Sequence, residues 1–194
     1  MSNQDITLYT ESENGRRLLK LLMRSDVYSK LILDPEEVFE IVPEARAMVG
    51  FDQCNPHHPY DVWVHTAHSV AYAPKDPVLR LALLMHDVGK PSTFYFTEDA
   101  VGHFNKHNEK GEKILRARLP LLGLDAGTVE TIAILVRYHD SDIYENERES
   151  WVADLGRERL LMLRDLMEAD ARAHDEKYKT AQIAEIESLR GMVK

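Results

Sequence analysis

The sequence predicts an all-α fold that contains one short β-hairpin. Apolar residues recur at helical spacing through most of the 194 residues. Helix-start signals, in which Pro or Asp precedes an apolar or acidic turn, also recur along the chain. Only residues 93–97, with the sequence TFYFT, have the β-branched and aromatic composition of a strand. Cys54 is the only cysteine, so the core must form without a disulfide.

The first predicted helices lie N-terminal to residue 51. A cluster of leucines at helical spacing predicts an amphipathic helix: Leu18, Leu19, Leu21 and Leu22. Pro35 and Pro43 are each followed by glutamate, a combination typical of the first turn of a helix. We expect the second of these helices to end at Gly50.

Two further helices and the hairpin follow a turn-rich loop at residues 55–59. Asp61 is placed to cap a helix that continues to about Tyr72. Asp76 and Pro77 open the next helix, which is strongly apolar and should end near residues 89–91. The strand signal at 93–97, the turn residues 98–102 and a return through residues 103–104 predict a short hairpin.

The C-terminal half is predicted to be helical with one interruption. Apolar periodicity predicts helices over residues 105–119, 125–139 and 156–173, and a last helix over 176–189. Residues 144–150, with the sequence YENERES, are polar throughout and are predicted to form a surface loop.

The charge balance limits the classes of partner that we expect. The chain carries 24 Lys and Arg against 33 Asp and Glu, a formal net charge of −9, so extended nucleic-acid binding is not expected. A small phosphorylated substrate is compatible with this charge, because a bound metal ion can dominate the local field. The N-terminus has no signal-peptide pattern, and the apolar run of residues 79–85 is too short to span a bilayer. We therefore expect a cytoplasmic protein without a membrane anchor.

A His-Asp pair, His86 and Asp87, directly follows the leucine-rich helix. Placing an imidazole and a carboxylate beside an apolar core is unfavourable unless a partner compensates them. A divalent metal ion is such a partner, since neutral imidazole and carboxylate are both suitable ligands. The dipeptide alone is too short to identify a metal site.

Longer motifs surround the pair in a fixed order. They are VPE at 42–44, Gln53, HHPYDVWVHT at 57–66, LRLALLMHDVGKP at 79–91, GHFNKHNEKG at 102–111 and VRYHD at 136–140. With these motifs the chain resembles the HD hydrolase superfamily, in particular the C-terminal HD region of bacterial tRNA nucleotidyltransferases, the CCA-adding enzymes. The resemblance covers residues 18–170 and implies an HD-domain helical bundle, in which successive helices each supply one metal ligand.

The resemblance also implies a metal-binding set. His65, His86, Asp87 and Asp170 correspond to the ligands of a first ion, and Asp87 is expected to bridge to a second ion held with His107 and His139. Two such ions can hold a phosphate and activate water, which makes Asp87 a catalytic residue. The ligand types do not distinguish Mn, Fe, Ni, Co, Zn or Mg.

Residues near these ligands are weaker candidates. Lys90 is predicted to contact a phosphate oxygen and to take part in catalysis, and His103 and His58 are possible phosphate or substrate contacts. We expect Asp140 to orient His139 or another metal ligand, and His174 to lie in solvent.

The expected organisation has three parts: an N-terminal helical segment (1–50) that packs on the core, an HD domain (51–175) and a C-terminal helix (176–194). A CCA-adding enzyme also needs a nucleotidyltransferase head, and the residues before His65 offer no glycine-rich turn or paired acids for one. The chain is therefore expected to be a free-standing HD module that does not add nucleotides by itself.

Hydrolysis of a small phosphoester is the function that the sequence favours. The substrate could be a nucleotide, a 2′,3′-cyclic nucleotide or a related phosphodiester, and a nucleoside polyphosphate is a further possibility. A non-catalytic alternative is an RNA- or partner-binding module of a tRNA nucleotidyltransferase-like system, including a subunit that serves a separate nucleotidyltransferase chain. The oligomeric state is left open.

Overall fold

The computed structural model describes residues 10–98 and 100–192. Across these residues the chain forms eleven α-helices and one two-stranded sheet, so the all-α prediction is confirmed. The expectations for residues 1–9 lie outside the described residues. The helices are α1 (Glu13–Leu22), α2 (Val27–Leu33), α3 (Glu36–Ile41), α4 (Val62–Tyr72), α5 (Pro77–Met85), α6 (Lys90–Thr93), α7 (His107–Arg118), α8 (Ala126–Tyr138), α9 (Arg148–Leu155), α10 (Arg157–Ala171) and α11 (Glu176–Met192).

The predicted hairpin is present in the structure. Strands β1 (Tyr95–Phe96) and β2 (Gly102–His103) pair antiparallel, with Tyr95 opposite His103 and Phe96 opposite Gly102. The strands are only two residues long, so the hairpin is a surface feature and not a second layer of the core.

Helix α5 is the centre of the bundle. All nine of its residues are buried, and it packs against α1, α4, α8 and α10. Its one charged residue, Arg80, donates hydrogen bonds to the carbonyl oxygens of Leu22 (2.6 Å) and Arg24 (3.2 Å), near the C-terminus of α1. The buried guanidinium therefore satisfies carbonyls that the end of a helix leaves free. Because α5 is fixed on all sides, the residues that follow it are held firmly.

Side-chain caps explain where several helices begin. Asp61 accepts a hydrogen bond from the amide of Val64 (2.8 Å), and Asp76 accepts from Val78 and Leu79 (2.8 and 2.9 Å). Asp125 does the same at the start of α8. These contacts satisfy the free amides of a first helical turn, as the sequence predicted for Asp61 and Asp76.

The structure differs from the prediction in two helical segments. Residues Pro43–Met48 form a 3-10 helix and not an α-helix. The helix predicted over 105–119 begins only at His107, because Lys106 has the left-handed backbone conformation, with φ of 63°.

The prediction of a loop over residues 144–150 was wrong. Residues Glu145–Glu147 form a 3-10 turn, and α9 begins at Arg148. The apolar residues that hold α9 follow the polar run: Trp151 packs edge-to-face on Tyr138, with ring centroids 5.3 Å apart, and Leu155 is buried. In the described part of the chain, no helix is both long and apolar enough to cross a membrane.

Candidate metal centre

The six predicted metal ligands meet at one place in the bundle. His65 lies on α4, His86 and Asp87 follow α5, His107 begins α7, His139 follows α8 and Asp170 lies near the end of α10. Five of the six are buried, and the Asp170 side chain is 14% exposed. Residues spread over more than 100 positions are therefore brought together by helix packing.

The first four residues form one group of donor atoms. Asp170 Oδ1 lies 2.8 Å from His65 Nε2 and 3.2 Å from His86 Nε2. Asp87 Oδ2 lies 3.3 Å from His86 Nε2 and 3.7 Å from His65 Nε2. Two imidazole nitrogens and two carboxylate oxygens thus converge on one point.

The other oxygen of Asp87 faces a second pair of histidines. Asp87 Oδ1 lies 3.6 Å from His107 Nε2 and 3.7 Å from His139 Nε2, and these two nitrogens are 3.1 Å apart. Both sets, His65–His86–Asp87 and Asp87–His107–His139, are spaced closely enough to hold a metal ion. Asp87 is the residue that the two sets share.

Backbone carbonyls fix the rings of three of the histidines. The Nδ1 atom of each donates a hydrogen bond to the carbonyl three residues earlier: His86 to Leu83 (2.6 Å), His107 to Phe104 (2.9 Å) and His139 to Val136 (2.8 Å). With a proton on Nδ1, each ring directs Nε2 toward the carboxylates, and Nε2 is the atom that a metal ion would bind. His86 would first release the second proton that the two carboxylates hold there. The Nδ1 hydrogen bond is the second contact that metal-binding histidines usually make.

Burial and charge set the protonation of the group. Burial lowers the pKa of His65, and burial together with His139 lowers the pKa of His107 to about 4. Burial acts in the same direction on His86, but Asp87 and Asp170 overcome it and raise its pKa to about 10. Although burial opposes ionisation of the two carboxyls, His86 holds the pKa of both well below the usual range. The carboxylates are therefore ionised and His65 and His107 neutral at pH 7, as metal ligands must be.

Lys90 lies beside the group. Its side chain is buried, and its Nζ is 2.7 Å from Asp87 Oδ2 and donates a hydrogen bond to Gln53 Oε1 (2.8 Å). Gln53 is fully buried and donates its own amide to the carbonyl of Tyr60 (3.2 Å). Gln53 was noted among the motifs but assigned no role, and the structure shows that it fixes the ammonium group of Lys90.

A cavity of about 350 Å³ opens beside Asp87, Lys90 and Asp170. Its wall also includes the two predicted substrate contacts, His58 and His103. His103 belongs to β2, where its ring stacks on Tyr95 with centroids 5.5 Å apart. The volume is in the range of small-molecule sites, so the cavity can accommodate a small phosphoester.

The close approach of α7 depends on Gly89. A Cβ atom at this position would lie 2.1 Å from the carbonyl oxygen of His107. Only glycine lets the turn that carries Asp87 lie against the first residue of α7.

The expectation for His174 was wrong, and that for Asp140 holds for a different ligand than its neighbour. His174 is half-buried and not in solvent: its ring stacks on His65 at 5.2 Å, and its Nδ1 donates to Gln182 Oε1 (2.6 Å). It lies in the turn just after α10, the helix that carries Asp170, and this closeness in sequence to a ligand was the available signal. Asp140 is exposed on the cavity wall, where its charge acts on His107, whereas the carbonyl of Val136 orients His139.

Comparison with known proteins finds a family whose match spans all six of these residues. The family described as HD domain matches residues 57–175, more than half of the chain. A CC-adding tRNA nucleotidyltransferase of Thermus thermophilus is 35% identical over 139 residues, which is 62% of this chain and 32% of that protein. An A-adding tRNA nucleotidyltransferase of Deinococcus radiodurans is 32% identical over 136 residues, 66% of this chain and 31% of its own length.

A different kind of relative matches half of the chain. A bifunctional uridylyltransferase/uridylyl-removing enzyme of Ruegeria pomeroyi is 30% identical over 120 residues, 50% of this chain and 12% of that enzyme. The chain spans about a third of the length of the tRNA nucleotidyltransferases that it matches. By the match over residues 57–175, the chain belongs to the HD domain family.

Proposed function

We propose that this protein is a metal-dependent phosphohydrolase that acts on a small phosphoester, such as a nucleotide, a 2′,3′-cyclic nucleotide or a related phosphodiester. The observation that carries the proposal is the position of the Asp87 carboxylate, with each oxygen facing a different pair of histidines. A carboxylate in this position can bridge two ions.

The donor set fits divalent metal ions. Both oxygens of Asp87 and the Nε2 of His86 are buried without a hydrogen-bond partner, although Lys90 makes an ion pair with Asp87. Unpaired buried polar atoms are costly, and a metal ion would compensate them. His65, His86, Asp87 and Asp170 would hold one ion, and Asp87, His107 and His139 the other. Bound there, the ions would supply positive charge that polarises a phosphoryl group and makes water more nucleophilic at neutral pH.

The side chains around these groups would bind and orient the phosphoester. The buried ammonium of Lys90 lines the cavity and is fixed by Gln53, so it offers a charged donor to a phosphate oxygen. His58 and His103 lie on the cavity wall and would contact the remainder of the molecule. The net charge of −9 supports a small substrate over a long polyanion.

The activities of the relatives support a nucleotidyl compound as the substrate. One of them includes a uridylyl-removing enzyme, and removal of a uridylyl group breaks a phosphoester bond. The others act on tRNA by their names, and the chain matches about a third of each. A phosphoester attached to a nucleoside is common to both groups.

Phosphate release by the metal-loaded protein tests the proposal. Nucleoside monophosphates, 2′,3′-cyclic nucleotides and nucleoside triphosphates would be screened with Mn²⁺, Co²⁺, Ni²⁺, Zn²⁺ and Mg²⁺; a terminal phosphatase added afterwards reveals opened cyclic esters. Asp87→Ala should reduce the rate by at least about 10³-fold, since it removes a ligand from both ions. His68→Ala is the matched control, because His68 lies on α4 with His65 but packs between Tyr28 and Tyr60.

The second candidate is a non-catalytic module that binds RNA or a protein partner. The names of the tRNA nucleotidyltransferases favour it, because this chain matches only one part of those proteins. If the protein is such a module, it should bind tRNA or a protein partner equally well with and without Asp87→Ala. It should release no phosphate from any compound in the screen. Wild-type turnover that survives complete chelation of metal would contradict both the metal-dependent proposal and this alternative.

A further inference from the structure

A third group of possible ligands lies beside the metal centre and consists only of histidines. His58, His65 and His174 each offer one ring nitrogen, and these atoms lie within 4.8 Å of one another. The ring of His58 is perpendicular to those of His65 and His174, at centroid distances of 5.3 and 4.7 Å. The three side chains come from the loop before α4, from α4 itself and from the turn after α10.

Two ring nitrogens of this group have no partner. The Nδ1 atoms of His58 and His65 are buried without a hydrogen bond, and His65 as a residue is only 1% exposed. His86, His107 and His139 differ, because each uses its Nδ1 on a backbone carbonyl. A buried nitrogen without a partner is costly and therefore points to a ligand that completes it.

Gln182 orients the ring of His174 and sets its tautomer. Its Oε1 accepts a hydrogen bond from His174 Nδ1 at 2.6 Å, which places the proton of the neutral ring on Nδ1. The lone pair of His174 is then on Nε2. A metal-binding histidine is commonly oriented by such a contact on its second nitrogen.

We propose that His58, His65 and His174 bind one further transition metal ion at the wall of the cavity. The proposal shares His65 with the proposed function, but ion binding at these histidines does not require hydrolysis. His65 would use Nδ1 for this ion and Nε2 for the metal centre that it shares with His86, Asp87 and Asp170, and would release its remaining ring proton to solvent. Three imidazoles without a carboxylate favour Cu²⁺, Zn²⁺, Ni²⁺ or Co²⁺ over Mg²⁺ and Ca²⁺, which prefer oxygen ligands.

The position of this ion would affect the cavity. His58 and His174 line the cavity together with Asp87 and Asp170. An ion there would add positive charge to the wall that faces the two carboxylates. It would also join the loop before α4 to the turn between α10 and α11, where the amide of Asp175 already donates a hydrogen bond to the carbonyl of His57 (3.0 Å).

Zinc stoichiometry of the metal-stripped protein tests the proposal. The full chain would be titrated with Zn²⁺ by calorimetry, and its bound metal measured by elemental analysis. Wild type should bind one more Zn²⁺ per chain than His58→Ala or His174→Ala, and a Mg²⁺ titration should not distinguish them. His57→Ala is the matched control, since its exposed ring lies outside the three-histidine group, and it should bind as much Zn²⁺ as wild type.

Two further variants separate this proposal from the proposed function. Asp87→Ala should lose the ions of the metal centre and keep the ion at His58, His65 and His174. Loss of the first site therefore does not imply loss of the second. Gln182→Leu keeps all three histidines and should weaken Zn²⁺ binding at this position by about 10-fold. Equal zinc content in wild type, His58→Ala and His174→Ala, or unchanged affinity in Gln182→Leu if an alanine variant fails to fold, would overturn the proposal.

Discussion

Individual histidines of the metal centre differ in the nitrogen that they leave free. His86 and His139 directly follow α5 and α8, where the last helical turn leaves carbonyls unpaired. Their Nδ1 atoms donate to these carbonyls, so the end of each helix sets the ring orientation. The position of a histidine just after an apolar helix therefore determines which ring nitrogen faces the site.

Lys90 should weaken metal binding and strengthen phosphoester binding, and one substitution tests both effects. Its ammonium lies 2.7 Å from Asp87, so it repels a cation there, and it also lines the cavity that a phosphate would occupy. Lys90→Met should therefore bind Mn²⁺ about 10-fold more tightly and raise KM for the phosphoester by about 10-fold or more. Calorimetry and steady-state kinetics measure the two effects. Weaker metal binding in this variant would mean that Lys90 supports the ligands and does not compete with the ion.

The sequence identified some residues of the site and missed the roles of others. His65, His86, Asp87, His107, His139 and Asp170 stand in long motifs that could be matched to a family, and all six meet in the structure. His174 lies outside these motifs, and Gln53 stands among them without an assigned role. The role of each depends on a contact with a distant residue, Gln182 or His65 for the first and Lys90 for the second, and no local pattern encodes it.

Helices were predicted well where a cap and an apolar face occur together. Asp61 and Asp76 mark the starts of α4 and α5, and both accept the expected amide hydrogen bonds. Helix α9 was missed because its first residues are polar and its packing residues, Trp151 and Leu155, come later. The start of α7 was displaced by Lys106, whose left-handed conformation has no signature in that residue type.

Gly89 lies where the turn after α5 packs against the start of α7. A methyl group there should move His107 and His139 away from Asp87. Since a Cβ would lie 2.1 Å from the His107 carbonyl, Gly89→Ala must displace the start of α7. The variant should be about 1–3 kcal/mol less stable and lose the ion held by His107 and His139 before the other ion. Chemical denaturation and metal analysis measure these effects.

Gly127→Ala is the matched control for that substitution. Gly127 lies in the first turn of α8, and a Cβ there meets only the side chain of Asp125, at 3.2 Å. Alanine should be tolerated or slightly stabilising at this helical position. If both variants keep the full metal content, Gly89 does not control the distance between Asp87 and α7.

At the scale of the whole molecule, the buried titratable groups make the stability of the metal-free protein depend on pH in two directions. Burial lowers the pKa of His58, His65 and His68, and burial with His139 lowers that of His107 to about 4. Below the unfolded value of about 6.5 these histidines take up protons more readily in the unfolded chain, so folding free energy is lost as the pH falls. His86 has the opposite effect, because its folded pKa of about 10 is raised. Its contribution is complete below about 6.5 and is lost as the pH rises toward 10.

The metal-free protein should therefore be most stable near pH 6–7. The acid side should be steeper, because several histidines act there, and Asp87 and Asp170 add to the loss below about pH 4 since their pKa values are lowered. Denaturant unfolding between pH 4 and 10, carried out after a chelator has removed all metal from the protein, measures this profile. His86→Gln should flatten the alkaline side, whereas His103→Gln, on the hairpin, should leave it unchanged. A stability that rises steadily from pH 7 to 10 in the metal-free wild type would show that His86 does not hold its proton between the two carboxylates.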